Sequence, residues 1–254
     1  MATFVLVSGS WHAAWCWEWL TPLLEAGGHR VLAPDLAGMG RDPTPRAQVT
    51  LALWADQIAD LIRAASEPVI LVGHSRGGIV ISEAAERVPD RIRKLVYLAA
   101  VLVPDGTSVA AVRAAKSRIV RRHRLEDIII PGPDNTSTVR PEAIDGMFFN
   151  TTPPELAEYG RSRMGPEPMA AMTTPLRLTG DRYGRVPRAY IECARDQSLP
   201  LQLQRSMQAG LPCDPVILLD TDHSPFLSNP DALAAALVAI AEGVSAEALD
   251  RDPP

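Results

Sequence analysis

The sequence predicts an α/β protein with a mostly parallel central sheet of about six strands, helices on both faces and an inserted cap. Three observations predict it. Short apolar runs alternate with helical patterns along the chain, the order expected of strand–helix–strand units. The runs are near-continuous in Val, Ile, Leu and Ala, as strands buried on both faces must be. One run, Pro68-Val69-Ile70-Leu71-Val72, leads directly into Gly73-His74-Ser75-Arg76-Gly77 and then into a helical pattern. At 254 residues and 46% hydrophobic, the chain can bury the core of one large domain.

Taken in order, the first strand is Phe4–Val7, followed by a helix over Glu18–Ala26 and a second strand, Arg30–Ala33, entered through the turn Gly27-Gly28-His29. A helix over Leu51–Ala65 leads to the strand Val69–Val72, a helix over Ile79–Val88 and the strand Leu95–Ala99. The alternation stops after Pro104 and resumes near Pro187. The later elements are a strand Ala189–Cys193, a helix Leu199–Ala209, a strand Val216–Leu219 and a helix Asp231–Ala241. Asn229 is placed to cap that last helix, with Pro230 in its first turn.

The expected organisation is a core of residues 1–103 and 187–242, a cap of residues 104–186, and a flexible tail over 243–254. A segment as long as 104–186 is not bare loop, so short helices and a small hairpin are expected over the carboxyl edge of the sheet. The cap carries a basic run from Arg113 to Arg124. A solvated helix face is the favoured reading of such a run over an anion site.

Net charge −5 and a pI near 5.6 argue against a nucleic-acid partner. Cys16, Cys193 and Cys213 are far apart and have no His at ligand spacing, which suggests neither a disulfide framework nor a metal site. No run approaches ~18 apolar residues, the length that spans a bilayer, and no signal-like segment precedes the first strand. The expectation is a cytoplasmic protein with no membrane or nucleic-acid partner and no metal or organic cofactor.

A chance Gly-x-Ser-x-Gly is expected about 0.06 times in a chain of this composition. Between a strand and a helix it reads as a nucleophile elbow, a sharp turn that exposes the hydroxyl of Ser75. A Ser hydroxyl needs a base, and His is the usual one near neutral pH. Of His12, His29, His74, His123 and His223, only His223 lies in a loop just past a strand and downstream of the Ser. His74 is expected to point away from the site. The acid that orients the imidazole belongs at another strand's carboxyl end, and Asp196 fits best. Asp181 and Asp105 stay open, while Asp220 and Asp222 stand too near His223 in sequence. Two backbone N–H groups should face the developing oxyanion. The residue after the nucleophile, Arg76, supplies one and Ser10 the other; the Arg76 side chain is expected in solvent or on a carboxylate.

Together these stretches resemble the α/β-hydrolase superfamily over essentially the whole chain. More narrowly they are similar to its methylesterase and hydroxynitrile lyase branch, which includes small bacterial esterases. The matching segments are Phe4-Val5-Leu6-Val7, Trp15-Cys16-Trp17, Pro22-Leu23-Leu24-Glu25, Gly28-His29-Arg30-Val31, Asp35-Leu36, Val72-Gly73-His74-Ser75, Asp196, and Asp222-His223 followed by Leu227. The resemblance implies the α/β-hydrolase fold, a triad of Ser75, Asp196 and His223, and oxyanion donors at Ser10 and Arg76. The family usually has His-Gly after the first strand, where this chain has Ser8-Gly9. Its lyases carry Thr where Gly9 stands and Lys where Ser224 stands, so the resemblance implies a hydrolase rather than a cyanohydrin lyase.

The expected activity is hydrolysis of carboxylic esters of small to medium hydrophobic substrates through an acyl-enzyme. The alternatives are a hydroxynitrile lyase, a ligand receptor with vestigial hydrolysis, or a cofactor-free oxygenase. Gly9, Trp11 and Ser224 are expected at the substrate, and Phe148, Phe149, Tyr159 and several Met of the cap in an apolar pocket. Trp15, Trp17 and Trp19 are expected to serve packing. The residues leave a homodimer open.

Overall fold

The structure, a computed structural model, describes residues 1–112, 114 and 128–243. Six strands form one parallel sheet: β1 (Thr3–Val7), β2 (Arg30–Leu32), β3 (Val69–His74), β4 (Ile92–Leu98), β8 (Arg188–Cys193) and β9 (Val216–Leu219), in the order β2-β1-β3-β4-β8-β9. All six stand where the apolar runs predict them. Successive residues of a strand point to opposite faces, and here both faces are covered. Val5, Val7, Leu71, Leu95 and Tyr97 join one core, with α2 (Leu51–Arg63) and α3 (Gly77–Arg87). Phe4, Leu6, Ile70, Val72, Val96 and Leu98 join the other, with α1 (Leu20–Ala26) and the last helix, Pro230–Glu242. That double burial is why these runs show no polar alternation.

Boundaries move where tertiary pairing or strain intervenes. β4 begins three residues earlier than its apolar run because Ile92 pairs with Val69 of β3. The first helix is preceded by a separate 3₁₀ turn, Ala14–Trp17, rather than starting at Glu18. The last helix is capped as its sequence predicts: the Asn229 side chain accepts the N–H of Ala232, with Pro230 in the first turn.

Between β4 and β8 the described chain forms an antiparallel hairpin, β5 (Ile129–Gly132) and β6 (Thr136–Val139), to which β7 (Glu167–Pro168) adds a third strand. Asp134 and Asn135 take left-handed backbone at the hairpin turn, a conformation both residue types tolerate. Three helices complete this part: α4 (Pro141–Phe148), α5 (Pro154–Arg163) and α6 (Ala170–Thr173). After β8 come α7 (Leu201–Gly210), and, past β9, α8 (Pro225–Ser228) and α9 (Pro230–Glu242). The basic residues of the run Arg113–Arg124, His123 and the tail beyond Gly243 lie outside the described residues. Among the described residues no helix is long and apolar enough to cross a membrane, and no cluster of three or more His, Cys, Asp or Glu is arranged to hold a metal.

The parallel sheet delivers four loops to one end. The segment Ser8–His12 follows β1, Ser75 follows β3, Asp196 follows β8 and His223 follows β9.

Candidate active site

Ser75 has φ of 53°, a left-handed backbone that a β-carbon disfavours. The conformation is held from both sides. Its N–H donates to Leu98 O at 3.2 Å, and its carbonyl accepts the N–H of Val101 at 2.9 Å and of Gly78 at 3.1 Å. The motif glycines permit the sharp turn: a β-carbon on Gly73 would stand 2.7 Å from Gly77 O, and one on Gly77 would stand 2.7 Å from Val7 O. Ser75 is half-buried, while its neighbours His74 and Arg76 are buried.

His223 is 1% exposed and its Nδ1 lies 2.6 Å from Oδ2 of Asp196. The other carboxylate oxygen of Asp196 accepts the N–H of Leu199 at 2.7 Å. A carboxylate that only accepts fixes the proton of His223 on Nδ1 and leaves Nε2 as the basic nitrogen. The remaining candidate acids are occupied elsewhere. Asp105 accepts the N–H of Leu178, Asp220 pairs with Arg195 at the surface, and Asp181 is exposed. Asp222 is fully buried and ties the His223 loop to the α4–α5 connection: it accepts from Thr151 N–H and Thr152 Oγ1, each at 2.8 Å, and from Ser224 N–H at 3.0 Å.

His74 points away from Ser75, yet it is not idle. Its Nε2–H donates to the carbonyl of His223 at 2.8 Å, and the two rings are 4.6 Å apart. The residue next to Ser75 therefore holds the backbone of His223 directly. Burial drives the His74 imidazole well below its usual pKa, so it is neutral, with its proton on the nitrogen that faces the carbonyl. His12 behaves alike. Its Nδ1–H donates to Ser10 O at 2.7 Å, and burial lowers its pKa to about 4 against the opposing pull of that bond. Phe148, Phe149 and Phe226 surround His12, and Phe148 also flanks His223 at 5.7 Å.

A cavity of about 40 Å³ opens between Ser75, Arg76, Ser10 and Trp11 on one side and Val101, Val109, Met172 and Leu199 on the other. Among the described residues, no protein acceptor is found for the backbone N–H of Ser10 or of Arg76, the two groups expected to face an oxyanion. Of the three residues expected at the substrate, Trp11 lines the cavity. Gly9 is wedged behind it, where a β-carbon would come within 2.7 Å of Ser75 Cβ. Ser224 is fully buried, its N–H taken by Asp222. The cap aromatics correct an expectation: none of them lines the cavity, whose side opposite Ser10 and Trp11 is mainly apolar and non-aromatic. Phe148 and Phe149 cover His12 and the back of the imidazole instead, and Tyr159 lies against Trp15 and Trp19. Trp17 is wholly buried against Phe226.

The Arg76 side chain turns inward rather than to solvent. It is 1% exposed, its Nε bonds Glu167 Oε1 at 2.9 Å, its Nη2 donates to Gly9 O at 2.9 Å, and its guanidinium lies 4.2 Å over the ring of Trp54. No pattern in the sequence singles out Glu167, which stands between two prolines 91 residues away, nor the supporting roles of Trp54, His12 and His74.

A model of the alpha/beta hydrolase family matches residues 4–236. The chain belongs to the α/β-hydrolase family. Within it, the protein is 33% identical over 251 residues to Methylesterase 7 of Arabidopsis thaliana, covering 94% of this chain and 96% of that one. It is 34% identical over 248 residues to a chloroplastic Arabidopsis thaliana relative, of whose length it spans 63%. A crystal structure of an Arabidopsis methylesterase superposes with a TM-score of 0.82 at 28% identity, covering 96% of this chain and all of that one. This α/β hydrolase therefore aligns over nearly all of its own length with proteins named as methylesterases.

Proposed function

We propose that this α/β hydrolase is a serine carboxylic-ester hydrolase, and that Ser75, His223 and Asp196 carry the reaction. The observation that carries the reading is the buried 2.6 Å contact between His223 Nδ1 and Asp196 Oδ2, in a loop whose His223 carbonyl is held by His74, the residue before the strained, half-buried Ser75. Ser75 Oγ attacks the ester carbonyl while His223 Nε2 takes its proton. Asp196 stays ionised, holds Nδ1–H and stabilises the imidazolium. The carbonyl oxygen, now an oxyanion, faces the N–H groups of Ser10 and Arg76. His223 then protonates the leaving alcohol, and water, activated by the same imidazole, releases the acid and restores Ser75.

The methylesterase names of the relatives support a small alcohol leaving group. The aliphatic wall of Val101, Val109, Met172 and Leu199 supports a hydrophobic acyl part, and a cavity of about 40 Å³ favours short groups over bulky ones. The same reading places the protein in the cytoplasm, supported by three unpaired cysteines, which persist as thiols in a reducing compartment. Each step of this scheme uses the chain's own side chains, two backbone N–H groups and water.

A panel of methyl, aryl and bulky-alcohol esters, run on wild type and Ser75→Ala, tests the proposal. Turnover of methyl and small aryl esters that disappears in Ser75→Ala supports it. Equal rates in the two proteins reject it. Cleavage of mandelonitrile in preference to every ester would put the lyase in its place.

A further inference from the structure

Arg76 serves the mechanism above through its backbone N–H, and its buried side chain is left without a task. The geometry points to one: we propose that the Arg76–Glu167 pair is a positioning device that aims the Ser10 oxyanion donor from behind and couples it to the β7 strand. The proposal rests on the ester-hydrolase reading.

The carbonyl of Gly9 and the N–H of Ser10 belong to one planar trans peptide and point in opposite directions. Arg76 Nη2 grips the carbonyl end at 2.9 Å. That grip fixes where the N–H end points, and Ser10 lines the cavity beside Ser75. Glu167 completes the clamp: Oε1 holds Arg76 Nε at 2.9 Å and Oε2 accepts the N–H of Trp11 at 3.0 Å. The peptide group before Ser10 and the one after it are thus tied to the same ion pair. The loop needs such restraint, because Trp11 has φ of 61°, a strained conformation for a residue with a β-carbon.

The device is rigid in its other directions too. Arg76 is 1% and Glu167 0% exposed, and the guanidinium carbon lies 4.2 Å from the centre of the Trp54 ring, a cation–π contact that adds to the restraint. A fork-shaped cation is required, since one group must reach a carboxylate and a carbonyl at once. Because Glu167 is on β7, paired with β6, the donor is aimed only while that sheet is seated on the core. A mere staple between the two regions would affect stability without distinguishing transition state from ground state.

Three variants separate these roles: Glu167→Gln, Arg76→Lys, and the double variant Arg76→Leu with Glu167→Leu. The double variant guards against misfolding, since exchanging a buried ion pair for apolar residues is far better tolerated than breaking it. Each is assayed for kcat and KM on a short methyl ester. Each is also assayed for inhibition by an aryl trifluoromethyl ketone, which adds to Ser75 as an anionic hemiketal, and by the matching methyl ketone, which does not. We expect kcat to fall about tenfold to a hundredfold with KM within about twofold, less than loss of a whole donor. Affinity for the trifluoromethyl ketone should fall in step and that for the methyl ketone should hold. The double variant should lose no more than the single ones, because one device is removed. Folded variants with unchanged kcat, or an equal loss of both ketones, would overturn the proposal. Failure of the wild type to bind the trifluoromethyl ketone covalently would instead overturn the hydrolase reading itself.

Discussion

Ser75 holds a backbone conformation, φ 53°, that costs a residue with a β-carbon about 1–2 kcal/mol. The hydrogen bonds that Ser75 donates to Leu98 O and accepts from Val101 N–H enforce it, so stability is given up to present the hydroxyl. Replacement by glycine should recover part of that energy. Ser75→Gly is expected to be more stable than Ser75→Ala by about 1 kcal/mol in urea denaturation, while both lose activity by about 10⁴-fold or more. Equal stabilities would show that no strain resides there. Asp196 is under a different constraint, because both of its oxygens accept hydrogen bonds, from Leu199 N–H and His223 Nδ1. An amide has one acceptor oxygen. In Asp196→Asn the NH₂ group faces the imidazole or Leu199 N–H, and the first arrangement moves the proton to Nε2. The expected result is a kcat lower by about 10⁴-fold in a protein that still folds; a loss below tenfold would exclude Asp196 from the reaction.

At the scale of elements, the decisive feature is how loops from separate strands are locked together. The loop after β9 carries two aspartates with opposite fates. Asp222 is fully buried and takes three hydrogen bonds, two of them from the α4–α5 connection. Asp220, two residues earlier, is 68% exposed and pairs with Arg195. Asp222→Ala strands buried donors at Thr152 and Ser224, each worth about 1–3 kcal/mol, and should destabilise the protein by at least about 2 kcal/mol. Asp220→Ala should change stability by less than about 1 kcal/mol, as exposed ion pairs do. Thermal denaturation of the two variants under one buffer decides it; similar shifts would refute the contrast. The element boundaries make the same point about locality. The apolar runs and the turn glycines locate every strand of the parallel sheet, but the start of β4 at Ile92 depends on its partner Val69. No local pattern contains that partner.

For the whole molecule, the aromatic cluster beneath the site sets the response to acid. His12 and His74 are neutral in the fold, His12 with a pKa of about 4 and His74 well below its usual value, both chiefly through burial. Above about pH 6.5 neither the folded nor the unfolded chain protonates them, and their full contribution is present. As pH falls below that point, the unfolded chain binds protons that the fold refuses. Stability therefore drops between about pH 6.5 and 4, by up to ~3 kcal/mol for His12 alone. Urea midpoints at pH 7 and pH 4.5 should show this loss, and His12→Gln should reduce it. A wild-type midpoint that does not change with pH would contradict the neutral assignment.

Sequence alone determined the parallel α/β architecture, the elbow at Ser75 and the short roster of histidines and aspartates from which a partner must come. These are local matters: side-chain period, turn chemistry and order along the chain. Tertiary structure decided which carboxylate receives the His223 imidazole, that His74 supports it from the elbow side, and that Arg76 reaches back to Gly9 through a Glu167 that no spacing rule connects to it. Those outcomes depend on burial and on through-space pairing between distant segments. A guanidinium removed from water must find an acceptor, and only the folded chain specifies which acceptor is within reach.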